Sequence, residues 1–295
     1  MKSRLLFFLL IFQNFGLSSV SMVYNFRIAQ ITKHFQFDNL EYDNKFTLIA
    51  LVFDQYLNRR NCISTNYAGG FGTFIFNYKQ FYLRADSAFS HINEKENKKL
   101  IFSGTETDDV LFSLGYNFVR NEKNLVTFTG LFGIPTHKSH ALQHADFGFG
   151  QNSLGAQLDG SRLLSEKNIF MYGLRYVRFF KNEAFDSECN KYKYSIGNLA
   201  DIFVAFKNIW GKHALEYGYT AKFGFGAKVY PSFDDIVKKT NYIRSNFYIN
   251  YRYKTVFNNI VNKFLLYFSY GFDHSPQKFG CKFILTFWGS WNVSF

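Results

Sequence analysis

The sequence predicts an all-β fold, a transmembrane antiparallel β-barrel of about 12 strands behind an N-terminal signal peptide. Three observations carry this. Aromatic residues make up 21% of the 295-residue chain (39 Phe, 20 Tyr, 3 Trp), with only 3 Pro. Apolar residues recur at every second position over many stretches, the period of a strand. No apolar run approaches the roughly 18 residues a membrane helix needs.

The first element reads as a secretory signal over 1–21. Lys2 and Arg4 give a positive start, Leu5 to Phe12 an apolar core, and Ser19-Val20-Ser21 a small-x-small cleavage site. Loss of Lys2 and Arg4 takes the formal charge from +12 to +10. That positive balance does not point to nucleic acid, because no basic run or nucleic-acid motif accompanies it. Residues 22–45 are expected as a periplasmic N-terminal extension. A strand over 23–32 would make thirteen, against the even number of single-chain bacterial barrels. The barrel is then 46–295.

Strand-like stretches follow at intervals of about 20 residues. They are 46–56, 66–78, 80–92, 108–120, 124–135, 151–163, 168–180, 198–208, 212–227, 242–254, 261–273 and 279–295. Their connections alternate in length. One set comprises Lys79, 121–123, 165–167, 209–211 and 254–260; the other comprises 57–65, 93–107, 136–150, 181–197, 228–241 and 274–278. Short periplasmic turns and long external loops are the habit of membrane barrels.

The faces sort as a barrel requires. In 212–227, His213, Leu215, Tyr217, Tyr219, Phe223 and Phe225 oppose Glu216, Gly218, Thr220, Lys222, Gly224 and Gly226. In 80–92, Phe81, Leu83, Ala85 and Phe89 point to lipid, with Arg84, Asp86 and Ser90 to the lumen. The first two strands and 168–180 alternate less cleanly. Tyr56, Tyr78, Tyr172, Tyr253, Trp288 and Trp291 fall near strand ends and suit interfacial aromatic girdles. The last stretch places Phe279, Cys281, Phe283, Leu285, Phe287, Gly289, Trp291, Val293 and Phe295 on one face. It resembles the C-terminal recognition signal of bacterial outer-membrane barrels. That resemblance implies outer-membrane assembly machinery as a partner beside membrane lipids.

The same parity sets the expected lumen charges. Arg84, Arg175, Lys207, Lys222, Arg244, Arg252, Lys263 and Lys282 point inward, against Asp86, Asp159, Asp201 and Glu216. A lining of eight bases and four acids would focus a positive potential and favour small anionic solutes. The candidate solute-binding residues are Arg84, Arg175, Lys222, Arg244, Arg252 and Lys282. Cross-lumen pairing that plugs the bore is the other reading.

Other constellations carry less. His137, His140 and His144, with Asp146, match no metal-ligand spacing, so no metal or cofactor is expected. His137-x-Ser139 would share a strand face, and it resembles the His-x-Ser pair of outer-membrane phospholipases and deacylases. It supports an alternative reading as a lipid hydrolase, although no third catalytic member is evident. Cys62 and Cys189 fall in external loops, where a bridge or two free thiols would both fit.

Thr127 to Phe180 contains TFTGLFGIPTHKSHALQHADFGFGQNSLGAQLDGSRLL and then YGLRYVRFF. A strand ending in a G-x-P-T corner, a long loop and an FGxGQ strand start resemble the phenol meta-pathway-associated transporter family. That resemblance implies an outer-membrane barrel with a small-solute transport role and carries over no binding residue. The expected function is passive uptake through a basic-leaning lumen in the outer membrane of a Gram-negative-type bacterium, with no reaction chemistry. A closed barrel serving as a loop-binding anchor is a further alternative.

Overall fold

The computed structural model describes residues 46–59, 63–107, 109–136, 150–185, 191–195, 197–225, 228–230, 242–258, 260–274 and 281–294. Twelve antiparallel strands close into a barrel. In hoop order they are β1 (Phe46–Arg59), β2 (Ile63–Tyr78), β3 (Phe81–Glu96), β5 (Val110–Arg120), β6 (Asn124–Ile134), β7 (Ser153–Ser165), β8 (Asn168–Phe179), β11 (Asn198–Trp210), β12 (His213–Phe225), β14 (Tyr242–Phe257), β15 (Ile260–Asp273) and β16 (Cys281–Ser294). β16 pairs back on β1 from Thr47↔Ser294 to Arg59↔Cys281, so neither strand has a free edge.

The short turns gather at one end. Lys79 and Asn258 take positive φ (54° and 48°), as does Gly211 (60°), which is how a tight hairpin keeps step with strand twist. At the three-residue turn, the Asn121 side-chain oxygen accepts from the backbone N–H of Lys123 and Asn124 (3.0 and 2.8 Å). The connection expected over 254–260 is much shorter: β14 runs to Phe257 and β15 restarts at Ile260.

The long-loop end differs more from expectation. Residues 93–107 are not a loop. β3 continues to Glu96, turns at Asn97 and Lys98 (φ 49° and 69°), and returns as β4 (Lys99–Thr107). β3 therefore pairs with β5 over Phe81–Asp86 and with β4 over Phe89–Glu96. β9 (Asn182–Phe185), β10 (Lys191–Ser195) and β13 (Lys228–Tyr230) form a small separate sheet. The proposed signal peptide and extension, Cys62, Cys189, and His137 to Asp146 lie outside the described residues.

The outer wall is an apolar band. Leu114 is 59% exposed, and Leu174, Phe247, Phe268 and Phe287 are likewise exposed. In a soluble protein such a surface would associate or precipitate; hydrocarbon satisfies it. On β3 the band runs from Phe81 to Phe89, roughly 20 Å of height at ~3.3 Å per residue and ~40° tilt. Trp210, His213 and Tyr253 pack ring to ring at the short-turn rim, with centroids 6.4 and 5.2 Å apart. Tyr56, Tyr78, Tyr172, Tyr253 and Trp291 are on the outer wall as expected. Trp288 is not: its even parity on β16 turns it into the lumen, where it is buried. No described helix is long and apolar enough to cross a membrane.

Candidate lumenal site

The inward charges stand where parity places them. Arg84, Arg175, Lys207, Lys222, Arg244, Arg252, Lys263, Asp86, Asp159, Asp201 and Glu216 are all buried inside the barrel. Lys282 lies on β16, but its side chain is outside the described ones. Burial adds Glu94 and Asp109, which the sequence reading did not count. Glu94 falls within the loop expected over 93–107, and the extension of β3 carries it onto the inner face. The described buried charges are therefore close to balanced, and any positive excess is local.

Much of the charge is tied up in pairs. Arg84 Nε donates to both Asp86 carboxylate oxygens at 2.8 Å, and the Thr73 hydroxyl donates to the same carboxylate at 2.6 Å. Positions i and i+2 of one strand share a face, which makes this pairing possible. Arg175 Nε donates to Asp201 at 2.7 Å from the neighbouring strand, with a second guanidinium contact to the same oxygen. Gln157 donates to Asp159 at 2.9 Å.

Strand register brings two of the bases together. Gln157, Arg175, Asp201, Lys222 and Arg244 occupy one row of register partners across β7, β8, β11, β12 and β14. Arg175 and Asp201 pair, and Lys222 and Arg244 are register neighbours. Asp273 of β15 is the register partner of Arg244 on its other side. Lys222 and Arg244 line a cavity of about 20 Å³ together with Gln55, Asn246, Thr286 and Trp288. That is room for about one water, by the volume a water needs.

Below it lies an aromatic slab. Tyr267 stacks on Trp288 (centroids 4.8 Å apart, 14° between planes) and on Tyr248 (5.5 Å, 24°). Glycine on the adjoining strand gives these rings their space. Gly218 is opposite Tyr248, and a Cβ there would meet the Tyr248 ring at 2.7 Å. Over that gap the Tyr248 hydroxyl donates to Glu216 at 3.0 Å. Gly115 plays the same part for Tyr82, whose ring passes over β5 to meet Thr129 on β6 at 2.6 Å. Glu216 faces Lys207 across β11 and β12. The interior is thus a packed core with polar rows through it.

Among the described residues no group of three His, Cys, Asp or Glu could hold a metal. No protein-family profile matches the chain, and no curated protein matches its sequence. Solved structures do match its fold. An outer membrane channel from Pseudomonas putida F1 is 14% identical with a TM-score of 0.66, over 84% of this chain and 95% of that one. The translocator domain of the autotransporter NalP from Neisseria meningitidis is 11% identical with a TM-score of 0.50, over 92% and 93%. At such identities the likeness speaks for fold. The fold is that of Gram-negative outer-membrane β-barrels, and with its apolar outer band the barrel sits in the outer membrane.

Proposed function

We propose that this barrel is a gated outer-membrane channel or transporter for small anionic solutes. One observation carries the reading: Lys222 and Arg244 stand adjacent in register around a polar lumenal cavity, above the Tyr248–Tyr267–Trp288 slab. The Gln55, Asn246 and Thr286 side chains supply hydrogen-bonding groups for the same guest. A cavity of about 20 Å³ admits no solute as it stands, so passage requires the slab to move. Arg84, Arg175 and Arg252 contribute to the field of the path rather than to the first contact. The Gly133 to Thr136 corner closing β6 supports kinship with the phenol meta-pathway-associated transporters. The chain meanwhile performs no chemistry on its solute.

The test is planar-bilayer conductance of the refolded protein under a salt gradient, beside Lys222→Gln/Arg244→Gln. Anion-biased reversal in the parent that moves towards zero in the variant supports the reading. Cation-biased reversal, or reversal that ignores the substitutions, refutes the assignment of these two residues. The packed lumen favours one second reading, a closed barrel whose outer loops bind a partner. A folded protein silent in every bilayer would support that instead.

A further inference from the structure

On the outer wall, β16, β1, β2 and β3 carry a run of small outward residues. Ala50, Gly72 and Ala85 form the floor of a furrow walled by Leu48, Phe74 and Trp291, a hollow of about 780 Å³. A second hollow of about 790 Å³ shares Ala50, Gly72 and Trp291 and extends along Gly289 to Val52 and Phe89. The barrel's own packing does not require these glycines. A Cβ on Gly72 would meet nothing within 4 Å, and one on Gly289 would make only ordinary contacts at 3.7 and 3.8 Å. Neither has a positive φ. The glycines keep the furrow open. Elsewhere on the wall Tyr172, Leu174 and Tyr176 of β8 fill the equivalent space.

Directly above, on the same strands, the character changes. Past Phe89 the outward positions of β3 are His91, Asn93 and Lys95, and Lys98 stands at the hairpin tip. Tyr56, Ser64, Asn66, Asn93, Lys95 and Lys98 line a concavity of about 900 Å³. His91, Asn93, Ser103 and Thr105 hold one another in place through hydrogen bonds of 2.9 to 3.2 Å. Lys95 lies six residues beyond the band's edge, roughly 15 Å higher at the same rise and tilt. That is just above the headgroup layer, towards which a lysine side chain can extend. Of the nearby acids, Glu94 is buried on the lumen side, Asp54 sits lower, beneath Tyr56, and Glu96 is paired in register with Lys99 across the hairpin.

A cationic, hydrogen-bonding cradle above an apolar furrow has the shape of a lipid. We infer that this wall seats one phosphorylated glycolipid of the outer leaflet, with an acyl chain along Ala50 and Gly72 and its phosphate at Lys95 and Lys98. The short turns at the opposite end put the cradle on the external side, where long loops belong. This seat does not depend on what crosses the lumen.

The test is native mass spectrometry of the full-length barrel in nanodiscs, titrated with lipid A or with its enzymatically dephosphorylated form. Two variants divide the site. Lys95→Gln/Lys98→Gln should weaken lipid A binding about thirtyfold and abolish the preference for phosphate, since each lysine near an anionic surface counts about equally. Gly72→Leu should weaken both lipids while leaving a folded barrel, shown by its unchanged heat-modifiable gel mobility, because a Cβ at this outward position meets nothing within 4 Å. Equal binding by parent and both variants overturns the proposal. So does a dimer abolished by Gly72→Leu, which would assign the furrow to a second copy.

Discussion

Trp288→Ala tests whether the aromatic slab both holds the lumen together and closes it. The indole is 2% exposed and lies 4.8 Å from the Tyr267 ring at 14°, so nearly all its surface is in contact with protein. Truncating a buried large aromatic costs about 3–5 kcal/mol, including the loss of its ring partner. The neighbouring groups decide where in that range the cost falls. Lys222, Arg244, Gln55 and Thr286 line the same cavity, so the vacated volume would be polar and take up water rather than stay empty. Hydration removes part of the cavity term and points to the lower end, about 3 kcal/mol. With a urea slope near 3 kcal/mol/M, the unfolding midpoint should fall by about 1 M. The water that limits this cost also provides a conducting path, so the variant should pass more current than the parent in planar bilayers. A midpoint shift without any gain in conductance would mean that the slab is only structural. If neither changed, Trp288 would not be packed where the register puts it.

Two further substitutions probe the interior. Asp201→Asn leaves Arg175 buried beside an amide instead of a carboxylate, and should destabilise the barrel by about 3–5 kcal/mol in urea unfolding. Replacing both partners with apolar residues of similar size should recover most of that loss, and failure to recover it would assign the cost to packing rather than charge. Gly115→Ala places a Cβ into the Tyr82 ring and must displace the hydroxyl from Thr129. It should cost about 1–3 kcal/mol, and pairing it with Tyr82→Leu should abolish most of the penalty.

Side-chain parity made much of this molecule legible from sequence. Arg84, Asp86, Glu216, Lys222, Arg244 and Arg252 stand on the face their alternation assigns, because a one-residue slip would put each of them in hydrocarbon. Parity fails where polarity stops separating the faces. On β8 the inward set is Ile169, Met171, Gly173, Arg175, Val177 and Phe179, apolar apart from Arg175 because the lumen is packed, so both faces look alike. Trp288 was misread for the same reason: a tryptophan near a strand end suits a membrane girdle, but here the lumen also needs a large flat ring. The β3–β4 hairpin was invisible because, above the bilayer, water bathes much of both faces and the charges of Glu94 to Lys99 carry little alternation. The adjacency of Lys222 and Arg244 was out of reach altogether. It follows from how β12 and β14 are registered, which no single strand encodes.

The seam between β1 and β16 bears on how the barrel is made. Thr47 and Ser294, bonded through their hydroxyls at 2.9 Å, are 247 residues apart in the chain. Until they meet, each strand presents an unpaired edge over the thirteen partners of their register. Closing so long a loop is entropically costly and late, so seam formation should limit the folding rate. An unclosed sheet can meanwhile satisfy either edge with another molecule. Refolding yield should therefore fall steeply as protein concentration rises, and the species lost should be nearly complete barrels joined edge to edge.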